Sequence, residues 1–268
     1  SFTNKKKILD KKKIRRLFEK ANIFKNLIGI LFEKKGGNTF NNIHSIFPSI
    51  LAKLCKEYNL DHFIHISALA INNAIDSDYA KSKLEGEKNI LNNFPFSTIL
   101  RPSVVYSVDD NFTTNLMTLL NRLPIFPLYY HGKTKFMPIH CSDLTEIIYN
   151  VISKNLFSNI IECVGPEEMS FKEIIQKLLI LIDKKRILIP FPLFLANLSA
   201  KFFQLLPKPL LTEDQLRLLK YDNILSGKYK TNDDIGVPSN KFFDKEVKKY
   251  CYMWKEGGQF SQEKYNNN

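Results

Sequence analysis

The chain has 268 residues, 44% of them hydrophobic, which is enough to bury one large core or one core with a small satellite. Its net charge of +12 invites a nucleic-acid partner, yet beyond residues 5–7 and 11–16 the positive side chains are scattered singly among Asn and Ile, with no binding motif and no aromatic-interleaved basic stripe, so no nucleic acid is expected. Cys55, Cys141, Cys163 and Cys251 form no CxxC pair, and no apolar run reaches the roughly eighteen residues of a spanning helix, which argues against a disulfide framework, a zinc knuckle and a transmembrane helix.

The chain opens on Ser1 rather than Met, with a charged run leading into residues 14–19 and no signal-peptide pattern, so its start reads as cut short. Residues 21–31 form an apolar run of strand length, followed by turn chemistry at Gly36-Gly37, and predict a buried strand. Residues 41–58 place Ile43, Ile46, Phe47, Ile50, Leu51, Leu54 and Cys55 at helical spacing. A strand is predicted over 63–67, a helix over 78–92 and a strand over 96–100 that runs into Arg101-Pro102. Further on the pattern predicts helices over 111–123, 143–151 and 170–182, and strands over 135–140 and 159–164. From Pro190 the chain is rich in Phe and Leu, broken by prolines, and it ends in a polar tail.

Nearly continuous apolar strands alternating with helices point to an α/β protein with a parallel sheet covered on both faces. The expected organisation is a Rossmann-like doubly wound domain over 1–165 lacking its first strands, a small, mostly helical C-terminal substrate or partner region over 166–258, and a tail over 259–268.

The segment most suggestive of chemistry is Ser67 followed by Tyr79-Ala80-Lys81-Ser82-Lys83. Tyr79 and Lys83 stand four apart at the start of a helix and so share a face. A lysine cation one turn away favours a phenolate, which predicts a Tyr79 phenol brought toward the neutral range for acid–base work. Ser67, at the carboxyl end of its strand, is placed to meet a substrate carbonyl or hydroxyl, because ligands of open parallel sheets bind there.

These three residues resemble the Ser-Tyr-Lys set of the extended and atypical short-chain dehydrogenase superfamily, the NAD-dependent epimerase/dehydratase group. Asn26-Leu27-Ile28-Gly29-Ile30 resembles its motif beside the adenosine ribose, Leu100-Arg101-Pro102-Ser103-Val104-Val105-Tyr106 its motif beside the nicotinamide, and Ile139-His140-Cys141-Ser142-Asp143 its later stretch in which an acidic residue starts a helix. Within the superfamily the chain is similar to the NAD(P)H-binding accessory subunits of respiratory complex I, alpha subcomplex subunit 9, and their bacterial homologues. That similarity is carried by Asp109-Asp110-Asn111-Phe112, Gly165-Pro166-Glu167 with Phe171-Lys172-Glu173, Leu211-Thr212-Glu213-Asp214-Gln215, Asp222-Asn223 and Gly258-Gln259-Phe260. Ser107 departs from the pattern, standing where the superfamily usually has Gly.

The resemblance implies NADP or NAD as cofactor, held by Gly29, Ile30, Tyr79, Lys83, Pro102, Ser103 and Val104, with Ser67, Tyr79 and Lys83 as the catalytic set. It also implies a respiratory-complex partner and a cytoplasmic location peripheral to the inner face of the respiratory membrane, the matrix side in a mitochondrion. None of the ten glycines lies in the Gly-rich strand-to-helix turn that lets backbone amides approach a pyrophosphate, so binding depends on a segment before Ser1. Two functions follow: a nucleotide-binding accessory or assembly protein, or an active NAD(P)-dependent oxidoreductase or epimerase/dehydratase.

No metal site is expected. His62 and His65 fall on opposite faces of a strand, and the spacing of His131, His140, Cys141 and Asp143 matches no usual zinc site. Asp143 reads instead as a helix N-terminal residue. Residues 187–211 read as the core of the C-terminal region, with a membrane- or partner-docking face as the alternative.

Overall fold

Strand β1 (Ile23–Asn26) lies beside β2 (His62–Ile66), β2 beside β3 (Ser97–Pro102), β3 beside β8 (Ile160–Cys163) and β8 beside β11 (Lys230–Thr231), every pair parallel. This computed structural model describes residues 18–34, 36–192, 194, 196 and 211–258. The early basic runs, most of the Phe- and Leu-rich stretch after Pro192, Gln259-Phe260 and the polar tail lie outside the described residues.

Successive side chains of a strand alternate faces, and the two faces of this sheet hold separate cores. Phe63 and Ile99 face helices α1 (Phe47–Glu57) and α2 (Asp78–Asn93), packing with Leu51, Ala52, Cys55 and Ile90. Ile64 and Leu100 face helix α4 (Cys141–Ser153), packing with Leu144, Ile147 and Val151. Helices on both faces of a parallel sheet are the doubly wound α/β architecture expected from the alternation of strand and helix signals.

A third core joins helices α3 (Thr113–Arg122), α5 (Phe171–Leu181) and α7 (Phe243–Lys248) to Tyr106, Phe126 and Phe136. Two capping boxes start helices of this region: Ser170 with Glu173 at α5, and Thr212 with Gln215 at α6 (Glu213–Leu218). Parallel strands β5 (Ile125–Leu128) and β10 (Ile187–Pro190) make a separate ribbon.

Several elements differ from the sequence expectation for local reasons. The run 21–31 is a strand only over β1: Asn26 Oδ1 accepts from Ile28 N–H (3.2 Å), ending the ladder, and Leu27, Ile28 and Leu31 are exposed. The helix expected over 41–58 opens with a π-helical turn, Asn41–Ile46, before becoming α1. That turn packs tightly on α2, since a Cβ at Gly86 would stand 1.8 Å from the His44 carbonyl oxygen.

The strand expected over 135–140 splits into β6 (Lys135–Phe136) and β7 (Ile139–His140) around Pro138. The first half pairs with β9 (Met169–Ser170), the second with β4 (Val105–Tyr106). Proline has no N–H to donate, so the chain changes partner there. In the described part of 187–211, Leu188 packs on the third core while Ile187 and Ile189 are exposed, because a two-stranded ribbon buries one face only, and Phe194, beyond the ribbon, is exposed as well. Gly36 and Gly37, both at positive φ, form the turn expected of them.

Candidate functional site

The carboxyl ends of β2 and β3, the first turns of α2 and the chain just after β1 meet at one edge of the sheet. Ser67 follows β2 directly, its N–H donating to Leu100 O (2.7 Å), and Leu69 N–H donates to Pro102 O (2.9 Å). The Ser67 hydroxyl is buried and has no hydrogen-bond partner among the described residues. A buried hydroxyl left unpaired costs about 1–3 kcal/mol, so its position is one that a ligand oxygen would satisfy.

Helix α2 starts where the Ser77 side chain accepts from Ala80 N–H (3.2 Å), and this start places Tyr79 and Lys83 one turn apart on the sheet-facing side. Lys83 Nζ donates to Ile66 O (3.1 Å) and stands 5.9 Å from the centre of the Tyr79 ring. Gly29 lies over it: a Cβ there would come within 3.5 Å of Lys83 Nζ and 3.8 Å of His44 Nε2. Tyr79, Lys83, Gly29 and Ile30 thus gather around His44 at the carboxyl end of β2, the strand that Ser67 follows.

His44 was not singled out by the sequence, and no spacing signals it. Its Nε2 accepts from Ile30 N–H (3.0 Å), so the neutral ring carries its proton on Nδ1 and donates to Ser82 Oγ (3.0 Å). Ser82 in turn donates to Tyr79 O (2.7 Å). The imidazole also meets the Tyr79 ring edge-on at 5.1 Å and stacks on Phe40. His44 thus ties the loop carrying Gly29 and Ile30 to the helix carrying Tyr79.

Tyr79 departs from expectation. Burial, with the Asp214 carboxylate second, pushes its phenol up to about 12 rather than toward neutrality, and burial pulls the Lys83 ammonium down to about 8 despite the opposing charge of Glu87. The spacing rule gave the neighbour correctly, but burial is the largest cause of the shift in both groups. At neutral pH the phenol is a hydrogen-bond donor.

Ser103 Oγ donates to Asn223 Oδ1 (2.6 Å) and accepts from Met137 N–H (3.3 Å). Asn223 also donates through Nδ2 to Leu69 O (3.1 Å) and through its backbone N–H to Lys135 O (2.7 Å). Val104 packs on the third core, and Pro102 closes β3. The C-terminal chain is therefore stitched across the strand ends. Asp143 stands in the first turn of α4, as expected, and joins that stitching: it accepts from the N–H groups of Asn240 and Lys241 (3.2 and 3.0 Å), while His140 is the N-cap.

Beneath the site Glu87 and Arg101 form a buried ion pair, with Nε to Oε1 at 2.9 Å and Nη2 to Oε2 at 2.5 Å, and the guanidinium lies over the Tyr229 ring at 4.5 Å. His62 and His65 serve different faces, His62 Nε2 meeting Thr98 Oγ1 (2.8 Å) and His65 Nδ1 meeting Asn26 Nδ2 (3.0 Å). Among the described residues no three metal-ligating side chains come together.

Burial holds His44 near 3, His62 near 4 and His65 well below its usual range. Unfolded histidines take up protons below about pH 6.5, while the folded protein resists doing so until far lower, so the stability present above that pH is lost as it falls. Between pH 7 and pH 5 the expected loss approaches about 2 kcal/mol each for His44 and His62. A urea midpoint unchanged at pH 5 would contradict this.

No family model matches the chain. In sequence it is 26% identical over 231 residues to mouse NADH dehydrogenase (ubiquinone) 1 alpha subcomplex subunit 9, mitochondrial, covering 85% of this chain and 61% of that protein. It is 24% identical over 261 residues to the Arabidopsis thaliana protein of the same name, covering 93% and 64%, and 23% identical over 219 residues to the Neurospora crassa NADH-ubiquinone oxidoreductase 40 kDa subunit, covering 81% and 57%. The chain thus spans about three fifths of the length of these relatives.

Among solved structures, UDP-glucuronic acid 4-epimerase from Bacillus cereus, in complex with UDP-glucuronic acid and NAD, superposes with a TM-score of 0.66 at 18% identity, covering 91% of this chain and 79% of that one. The dTDP-glucose 4,6-dehydratase of Bacillus anthracis, in complex with NAD, gives 0.66 at 12% identity, covering 94% and 78%. The chain is accordingly similar in sequence to the NADH dehydrogenase (ubiquinone) 1 alpha subcomplex subunit 9 proteins and shares the Rossmann-like fold of these two NAD-bound structures.

Proposed function

We propose that this chain is the larger part of a nicotinamide-dinucleotide-binding protein that serves as an accessory or assembly component of a complex I-type respiratory enzyme. The observation that carries the reading is the convergence of Gly29, Lys83, Tyr79 and the unpartnered Ser67 hydroxyl at the carboxyl ends of β2 and β3. That is where ligands of doubly wound sheets bind. The relatives in sequence are named as subunits of NADH dehydrogenase, and the fold neighbours hold NAD.

The residues present fit the nicotinamide-ribose half of NAD or NADP. Lys83 Nζ would hold ribose hydroxyls, Gly29 and Ile30 would lie along the ribose on the β1 side, and Pro102, Ser103 and Val104 would flank the nicotinamide. Ser103 Oγ is already engaged with Asn223 and its N–H with Cys163 O (3.0 Å), so its contribution there falls to its carbonyl oxygen. The bound nicotinamide supplies a hydride donor or acceptor. No glycine among the described residues forms a phosphate-binding strand-to-helix turn, so the residues described account for the nicotinamide-ribose half alone.

Among the described residues no helix is long and apolar enough to cross a membrane.

A second reading, an active oxidoreductase or epimerase, is favoured by the retention of Ser67, Tyr79 and Lys83 in one site, an arrangement that scaffolding alone does not require. Tyr79, protonated at neutral pH, would donate to a ligand oxygen that Ser67 orients.

Protein purified from the full reading frame, including whatever precedes Ser1, is expected to carry NADP(H) or NAD(H), released on denaturation and identified by mass spectrometry. Nucleotide-free protein that also fails to bind either dinucleotide in calorimetry would refute the proposal. Copurification with respiratory membranes tests the accessory role.

A further inference from the structure

The first backbone N–H groups of a helix have no intrahelical acceptor. In α2, Ser77 satisfies the N–H of Ala80 as N-cap. Asp78 N–H and Tyr79 N–H donate instead to a single carboxylate from the C-terminal part of the chain, Asp214, at 2.7 Å (Oδ1) and 3.1 Å (Oδ2), and Ser77 Oγ donates to the same Oδ2 at 2.8 Å.

Asp214 sits in the first turn of α6, which the capping box of Thr212 and Gln215 holds rigid. Two neighbouring side chains grip the same stretch: Arg217 Nη1 donates to Asp76 O (3.4 Å) and Lys220 Nζ stands 3.6 Å from Asp76 Oδ2. Asp78, inside the helix start, does not substitute for this carboxylate, since its own side chain faces Lys81 (3.4 Å) and Arg217 (3.9 Å).

We infer that Asp214 is a positioning residue for Tyr79: a carboxylate supplied by the C-terminal region closes the start of the helix that carries the phenol, and so makes the geometry of the site depend on docking of that region. The inference rests on the reading of Tyr79 as a ligand-contacting group for its functional consequence. Its geometry stands apart from that reading.

An anion at a helix N-terminus stabilises the helix, and the same anion disfavours a second negative charge nearby. Asp214 is therefore both the cap and the group that, after burial, keeps the proton on the phenol. The other groups facing the phenol are the Lys83 ammonium, 5.9 Å from the ring centre, and the neutral His44 ring at 5.1 Å. Asp78 and Arg217 belong to the cap itself.

Two measurements on the full-length protein without nucleotide test this. In the unsubstituted protein the amides of Asp78 and Tyr79 are expected to exchange about a hundredfold more slowly than in unstructured peptide, as acceptor-bound amides do. Tyrosine ring NMR, with Tyr79→Phe to assign the signal, then follows the phenol in Asp214→Asn and Asp214→Glu. Loss of the charge should lower the Tyr79 titration by about one pH unit, raising its phenolate fraction at pH 10.5 roughly eightfold, with other tyrosines unmoved. Asp214→Glu should restore most of the difference.

A folded Asp214→Asn protein whose Tyr79 titrates as before overturns the inference. So do unprotected Asp78 and Tyr79 amides in the unsubstituted protein, which decides the matter even if the variant does not fold. Failure of nucleotide binding leaves both readouts intact, so the two ideas fail separately.

Discussion

Glu87→Ala is expected to cost about 3–5 kcal/mol of folding stability, as does removal of one partner from a buried ion pair. The side chains of Glu87 and Arg101 are only 4% and 3% exposed, and both carboxylate oxygens are used by the guanidinium. Without Glu87 the Arg101 charge stays buried with the Tyr229 ring as its remaining partner among the contacts described, and a ring face returns far less than a carboxylate. The effect should be read as a fall in the urea midpoint with the slope unchanged. Removing both charges together, as Glu87→Gln with Arg101→Met, should recover a large part of the loss, since burial of neither charge then has to be offset. A single substitution costing less than about 1 kcal/mol would show that the pair is not buried as described. The consequence reaches the site, because Glu87 is one turn from Lys83 and its charge supports the ammonium against burial.

Tyr79→Phe is expected to reduce any hydride transfer or epimerisation by this protein about 10²–10⁴-fold, the usual contribution of a positioned proton donor. Dinucleotide affinity should change little. The ring makes edge contacts with His44 (5.1 Å) and Phe40 (5.8 Å) that phenylalanine preserves, and Lys83 and Gly29 are untouched. Turnover and affinity measured on the same preparation of full-frame protein separate the two effects. Unchanged turnover would remove Tyr79 from the chemistry. A large loss of affinity would make it a binding group instead.

Much of the sheet is legible in the amino-acid sequence. The short apolar-rich runs of 63–67 and 96–100 and the helical spacing from Asp78 onward are local signals, each set by solvent exposure over a few residues. Less legible are segments where one side chain redirects the backbone. Asn26 ends β1 by accepting the N–H of Ile28, and Pro138 divides a strand in two. Both residues are visible in the sequence. Whether a side-chain bond or a ladder bond wins there depends on which strand lies alongside.

The site shows the same division. The interval between Tyr79 and Lys83 by itself determined that they share a helix face, because 3.6 residues per turn is a property of the backbone. The position of Ser67 at a strand end followed from the apolar run before it. The upward push on the Tyr79 phenol comes from tertiary structure alone, from burial first and then from the Asp214 carboxylate of α6. The His44 link to Ile30, the Asp214 cap and the Glu87–Arg101 pair likewise join residues far apart in the chain. Their energies come from desolvation and hydrogen-bond geometry that exist only once the elements are packed, and no spacing in the sequence encodes them.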